Sequence, residues 1–305
     1  MAYILALDEG TTSARAALYD EQARRIAIEA TPIESTHPQQ GWVEQDAESI
    51  WRAQLTAALR LLDRAKAAPG SVAAIGITNQ RETTIVWERA TGKPVAPAIV
   101  WQCRRTADFC AQIASSGVGP LIERKTGLVI DAYFSASKLR WILDNVPDAR
   151  KKAADGELLF GTVDTWLVWK LTNGAVHVTD ISNASRTMLM DLDSGTWDEA
   201  LLDIFEIPRA MLPEIAPSGH VFGVTAGEHL GAEIPIAGIA GDQQAALFGQ
   251  ACFRPGRSKN TYGTGCFALM HTGSRSPRSC HRLVTTRAAS LDDTPQFAME
   301  GSVFV

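Results

Sequence analysis

The chain opens with two strand-forming stretches separated by a short turn dense in glycine and hydroxyls, and this turn constrains everything that follows. Tyr3-Ile4-Leu5-Ala6-Leu7 is a short apolar run, and Ala14 to Tyr19 is mostly apolar before Asp20 and Glu21 turn the chain. Between them stand Asp8-Glu9-Gly10-Thr11-Thr12-Ser13. Gly10 permits a tight turn, and with Thr11, Thr12 and Ser13 it presents backbone N–H groups and hydroxyls, a cradle for phosphate oxygens. Asp8, at the strand end, is placed to hold Mg²⁺ or its waters, because Mg²⁺ prefers oxygen ligands. The same residues also satisfy an ordinary hairpin turn, and on this stretch alone the two readings stand level. The turn lacks the Gly-Lys-Ser/Thr ending of the common nucleotide-binding loop.

A second stretch changes that balance. Lys259-Asn260-Thr261-Tyr262-Gly263-Thr264-Gly265-Cys266-Phe267 repeats the pattern of a glycine- and threonine-rich turn followed by an apolar strand. Two such hairpins far apart imply two related lobes gripping one nucleotide. In this the chain resembles ATPases of the actin, hexokinase and Hsp70 type. The resemblance implies an α/β chain with an actin-like ATPase (ribonuclease H-like) fold in two lobes.

With 305 residues there is room for two domains. The net charge of −5 argues against nonspecific nucleic-acid binding, while a small anionic ligand needs only a local basic site. The odd count of Cys103, Cys110, Cys252, Cys266 and Cys280, without metal-ligand spacing, excludes a fully paired disulfide framework and reads as reduced thiols in a cytosol. The N-terminal apolar run is too short for a signal peptide, and no run approaches a transmembrane span. The expected setting is cytoplasmic.

Asp46 is a good N-cap for a helix carrying Ile50, Trp51, Leu55, Leu59 and Leu62 on one face, stopped by Pro69-Gly70. Val72 to Thr78 reads as a buried strand ending in Asn79-Gln80-Arg81-Glu82, with a further strand from Thr83 to Glu88. Ligands bind at such strand ends in open α/β sheets, and adjacent Arg81 and Glu82 offer donors and acceptors suited to a polyhydroxylated substrate; a surface ion pair is the competing reading. Trp101 is either core or a pocket wall, and Tyr133 either a packed loop aromatic or a hydroxyl donor. Asn183 to Thr187 reads as a polar loop bonded to itself, and residues 274 to 296 as polar and irregular. The apolar strand at Ile234 to Ala240 meets a helix through Gly241-Asp242. By position alone Asp242 is favoured as the helix cap over a proton acceptor. Arg254-Pro255-Gly256 marks a junction, and Ser258 begins the second lobe.

Taken together, Asp8 to Arg15, Gly76 to Thr83, Trp101 to Thr106, Tyr133-Phe134-Ser135, Gly161 to Trp166, Asn183 to Thr187, Gly241 to Gln244 and Tyr262 to Phe267 resemble the FGGY family of carbohydrate kinases, and within it the glycerol-phosphorylating branch. Asn79-Gln80-Arg81-Glu82 speaks for glycerol over pentuloses. The resemblance covers nearly the whole chain and implies ATP plus glycerol giving ADP plus sn-glycerol 3-phosphate, with glycerol, ATP and Mg²⁺ as partners and room for a homo-oligomer. It implies Asp242 as the base; Arg81, Glu82, Tyr133, Asp242 and Gln243 on the glycerol hydroxyls; and Trp101 and Phe267 against its carbons. It implies Thr11, Thr12, Ser13 and Arg15 on the nucleotide phosphates, Thr264 and Gly265 doing so from the other lobe, and Asp8 serving Mg²⁺.

Some positions depart from the pattern. Glu9 stands where the family often has Gln, and Ala132 where Pro is common. The segment Gly227 to Glu233 is acidic and lacks the Arg that accompanies sugar-bisphosphate inhibition, and His229 within it is expected as an exposed loop residue. The implied division is an N-terminal kinase domain over residues 1–251 and the start of a C-terminal domain over 252–305. With the second lobe incomplete, such a chain is expected to carry most of the glycerol side and about half of the nucleotide side. Weak glycerol binding with little turnover, or a kinase of another small polyol, is the alternative outcome.

Overall fold

In the computed structural model, residues 2–262 and 265–304 are described. The first hairpin forms as read: Tyr3–Glu9 pairs antiparallel with Ser13–Tyr19, with Ala14 opposite Glu9. Arg25–Pro32 adds an outer antiparallel strand. On the other side of Tyr3–Glu9, Val72–Asn79 and then Pro235–Gly241 continue the sheet in parallel, and Gly223–Val224 closes it, giving six strands. Three antiparallel strands thus continue into parallel ones within one mixed sheet.

The core follows from strand alternation. Leu5, Leu7, Ala16 and Leu18 point to one face and are fully or almost fully buried there. The helix Ala47–Ala65 lies over that face with Ile50, Trp51, Ala57, Ala58, Leu61 and Leu62 inward. Asp46 caps it by accepting from the Glu48 N–H at 3.1 Å. Leu59, expected on the buried face, is 44% exposed; the small Ala57 and Ala58 take the contact and let helix and sheet approach closely. A second core gathers around Ser135–Asn145 and the antiparallel pair of Ile85–Glu88 with Leu158–Gly161.

The second lobe is a four-stranded antiparallel sheet in the order Ser258–Tyr262, Gly265–Gly273, Phe297–Phe304, Val284–Arg287. The strand Val284–Arg287 corrects the expectation of irregular chain over 274–296. Its residues are buried throughout, so no polar–apolar alternation announces it, and Arg287 donates to the carbonyls of Leu192 and Asp193 at 2.8 Å each. His229 is also not a loop residue. It sits half-buried on the helical turn Gly227–Leu230, edge-on to Trp51 with ring centroids 5.1 Å apart, its Nε2 2.7 Å from Asn173 Oδ1. The cysteines are unpaired. No helix among the described residues is long and apolar enough to cross a membrane.

Register places the site. Glu9 lies level with Asn79, and Asn79 with Gly241. The phosphate-type turn, the segment Gln80-Arg81-Glu82 and Asp242 therefore leave the sheet at one edge, the carboxyl end of its parallel strands.

Candidate active site

Arg81 is the hub of this edge. It is 2% exposed. Its Nε lies 3.3 Å from Asp242 Oδ1 and 3.7 Å from Glu82 Oε1. Nη1 donates to Gln244 Oε1 at 3.1 Å, and Nη2 lies 3.5 Å from the Tyr133 hydroxyl. Gly241 makes room for this path, since a Cβ there would fall 2.8 Å from Cγ and Cδ of Arg81. Burial and partners exclude the surface ion pair as the reading of Arg81 and Glu82.

Two residues that sequence reasoning did not single out complete the cluster. Glu300, from the second sheet, accepts from Arg81 Nη1 and Nη2 at 2.7 Å each. Arg186 donates to Glu82 Oε1 and lies 3.3 Å from Glu300 Oε2. Its guanidinium also packs over the rings of Tyr133 and Phe134 at 5.1 and 5.0 Å. Burial works against ionisation of Glu300, but Arg186 and Arg81 overcome it and hold its carboxyl down at about 2. Burial likewise opposes the charge on Arg81, and Glu300 and Glu82 more than restore it. Residues 183–187 do bond among themselves, Thr187 Oγ1 donating to the Ala184 carbonyl at 2.8 Å, but the segment is buried and also reaches the cluster through Arg186. Ile181–Ala184 is a buried helical turn, and Asn183 forms a reciprocal amide pair with Asn79 at 3.0 and 3.1 Å.

Glu82 has a left-handed backbone, φ 62°, rare for a residue with a long side chain. Its carbonyl accepts from Lys138 Nζ at 3.0 Å and from the hydroxyls of Ser135 and Thr84 at 3.1 Å each. The kink explains why the following strand begins at Ile85 rather than Thr83. Lys138 also donates to the Tyr133 carbonyl at 2.5 Å, so one buried amine anchors the backbones of both residues. Burial pushes its amine down to about 7, against the pull of Glu82.

Asp242 does not cap its helix. Gly241 occupies the cap position without a side-chain bond, and Asp242 is the first residue of Asp242–Gly249. Its Oδ1 accepts from the Gln243 backbone N–H at 2.8 Å and its Oδ2 from Gln243 Nε2 at 2.9 Å. The side chain keeps 39% of its surface exposed, yet it lies sunk in the site. This desolvation raises the carboxyl, aided by Glu82 and opposed by Arg81 and Gln243. A partly exposed carboxylate raised from its ordinary value is suited to accept a proton.

Trp101, Tyr133 and Phe267 form an aromatic wall beside the cluster. The Trp101 ring lies 5.7 Å from Tyr133 and 6.2 Å from Phe267, and Arg81 lies 5.9 Å from the Phe267 ring. Burial pushes the Tyr133 phenol up. A cavity of about 900 Å³ is bordered by Trp101 and Tyr133 of this wall and by Arg186 and Glu300 of the cluster, but not by Arg81, Glu82, Phe267, Asp242 or Gln243. The chemistry is therefore read from the carboxylate cluster, where acid, base and guanidinium meet.

The phosphate-type turn adjoins the wall, for Trp101 Nε1 donates to Thr11 Oγ1 at 2.9 Å. Thr11 accepts there and keeps its own hydroxyl hydrogen to donate. Gly10 N–H closes the turn on Ser13 carbonyl at 3.1 Å, and Thr12 and Arg15 are exposed. Arg15 Nη1 lies 3.1 Å from Asp8 Oδ2, and both side chains remain more than a third exposed. Asp8 fits a Mg²⁺ ion of the kind held by one carboxylate, phosphate oxygens and water; no cluster of three or more acidic, His or Cys ligands exists among the described residues. Gly265 is buried at the start of the second hairpin's return strand, and Thr264 lies outside the described residues. Glu9 is fully buried, and neither of its carboxyl oxygens has a hydrogen-bond partner among the described residues. Burial, then Asp8, raise its carboxyl well above the ordinary range.

Residues 3–249 match the N-terminal domain of the FGGY family of carbohydrate kinases. A glycerol kinase of Shewanella frigidimarina is 58% identical over 303 residues, covering 99% of this chain and 60% of that protein. Glycerol kinase 2 of Thermotoga maritima is 55% identical over 305 residues, covering all of this chain and 62% of the relative. The chain thus spans about three fifths of the length of these curated relatives. Among solved structures, Plasmodium falciparum glycerol kinase with ADP superposes with a TM-score of 0.95 at 37% identity, over 100% of this chain and 61% of that one. A Brucella ovis xyloylose kinase shares the fold, with a TM-score of 0.88 at 22% identity over 98% and 59% of the two chains.

Proposed function

The chain belongs to the FGGY family of carbohydrate kinases, and on that premise we propose that it carries the glycerol- and phosphate-binding part of an ATP-dependent glycerol kinase working in the cytoplasm. The observation that supports this most is the meeting of Arg81, Glu82, Asp242 and Gln243 at one sheet edge, beside the wall of Trp101, Tyr133 and Phe267. Such a site matches a short carbon chain bearing several hydroxyls: apolar rings for carbon, alternating donors and acceptors for oxygen.

In this reading Arg81, Glu82, Tyr133 and Gln243 hold glycerol hydroxyls, and Trp101 and Phe267 face its carbons. Asp242 accepts the proton of the hydroxyl that attacks the terminal phosphorus of ATP; the phosphorus–oxygen bond to ADP breaks as the new one forms. Thr11, Thr12, Ser13 and Arg15 hold phosphate oxygens, and Thr264 and Gly265 share that role. Asp8 holds Mg²⁺ or its waters. When bound, Mg²⁺ neutralises phosphate charge. Positioning and charge neutralisation supply most of the rate in phosphoryl transfer. We assign residues 1–251 to the N-terminal domain and 252–305 to the beginning of a second.

The test is glycerol-dependent ADP formation with wild type and Asp242→Asn. The reading predicts that turnover falls by about 10²–10⁴-fold in the variant, the range for a general base, while glycerol still binds. Turnover unchanged by the substitution would refute the role of Asp242.

A further inference from the structure

Lys259 lies on the second-lobe strand Ser258–Tyr262 and is 8% exposed. Its Nζ donates to Gln243 Oε1, to Thr261 Oγ1 at 2.9 Å and to the Phe267 carbonyl at 3.3 Å. These acceptors are all uncharged, and they use the three hydrogens of an ammonium. The site residue Gln243 is the only one of them from the first lobe.

An ammonium has no acceptor capacity, so the amide of Gln243 must turn its oxygen toward Lys259. Its Nε2 then points the other way, where it donates to Asp242 Oδ2 at 2.9 Å. With the amide reversed, two oxygens would face each other at that distance. We infer that Lys259 is a positioning residue for the base: it fixes the orientation of the Gln243 amide and thereby keeps a donor on the Asp242 carboxylate. The arrangement links the second lobe to the base, because Lys259 stands on the first strand of the second hairpin, opposite Leu269, and donates to the carbonyl of Phe267 in the aromatic wall. The inference rests on the functional reading above and deepens it.

The charged groups around Lys259 fit this role. Burial and Arg81 lower its amine to about 8, while Glu300 and Asp242 act the other way. At neutral pH it remains the ammonium that the argument requires, and its charge also favours the ionised form of Asp242.

The experiment measures glycerol affinity calorimetrically across pH 4–9 for wild type, Lys259→Met, Gln243→Leu and the double variant. Lys259→Met is expected to weaken glycerol about tenfold, in line with loss of a hydrogen bond involving a charged group. It should also move the acid midpoint of binding to higher pH, since Asp242 loses its oriented donor and a nearby positive charge. In the Gln243→Leu background the same substitution should cost less than threefold. Additive losses, or an unchanged affinity and midpoint in Lys259→Met, would overturn the inference while leaving the functional reading intact. Absence of glycerol binding to wild type would overturn the functional reading, and the inference with it. If Lys259→Met does not fold, Lys259→Gln, which keeps an amide donor without the charge, replaces it. Because that amide can also accept, it leaves the Gln243 orientation unfixed, and it is expected to weaken glycerol and to shift the midpoint in the same direction; unchanged affinity and midpoint would count against the assigned role.

Discussion

Arg81 of the first lobe and Glu300 of the second meet through two parallel N–H···O bonds of 2.7 Å each. This is the strongest geometry available to a guanidinium and a carboxylate. It sets the plane of Arg81, whose remaining Nε faces Asp242 and Glu82. A contact between lobes therefore aims a residue of the proposed glycerol site.

Glu300→Gln leaves Arg81 and Arg186 short of one buried negative charge. Removing one partner of a buried pair costs about 3–5 kcal/mol. We expect a loss in that range by urea unfolding, with weaker glycerol binding. The acid behaviour follows from the same pair. The carboxyl sits at about 2 in the folded chain, against about 4.3 in an unfolded one. Its contribution, on the order of 3 kcal/mol, is present above about pH 4.3 and lost as pH falls toward 2. The variant should lack that part of the acid dependence.

Glu9 behaves in the opposite way. Its carboxyl is raised by burial and has no hydrogen-bond partner among the described residues, so ionising it costs stability. Glu9→Gln should raise the Tm above that of wild type at pH 8, by roughly 2–6 °C for a gain of about 1–2 kcal/mol. The gap should shrink toward pH 4, where the acid is neutral in both states. A gap that does not depend on pH would contradict this account.

Lys138→Met removes the amine that holds the carbonyls of Glu82 and Tyr133. The left-handed backbone of Glu82 stores about 1–3 kcal/mol of strain that needs such anchors. Glycerol affinity should fall about tenfold, equivalent to roughly 1.4 kcal/mol. Because the amine sits at about 7 when folded and near 10.4 when unfolded, wild-type stability rises as pH climbs from 7 to 10. The gap to Lys138→Met should widen over that interval.

The sequence carried much of this. The first hairpin and the cap at Asp46 are set by local chemistry and could be read directly, and the strand ends read at Thr78 and Ala240 lie one residue short of those in the structure, Asn79 and Gly241. Asp242 could not be settled locally, because a cap and the first helical residue differ by one position; Gly241 takes the cap. Arg186 gave no signal, for a polar segment at 183–187 looks alike whether it faces water or a buried carboxylate. Lys138 did leave one: it falls on the face of Ser135–Asn145 that also carries Ile142, where a solvated lysine would not sit. Glu300 depends on pairing between distant strands, which no local pattern encodes.

The central claim is that the edge organised by Arg81 receives glycerol. Isothermal titration of wild type and Arg81→Met with glycerol, and of wild type with xylulose, tests it most directly. The account predicts saturable heat for glycerol with wild type, at least a tenfold loss in a folded Arg81→Met, and weaker or no heat with xylulose. No glycerol binding to wild type, or equal binding to the folded variant, would contradict it.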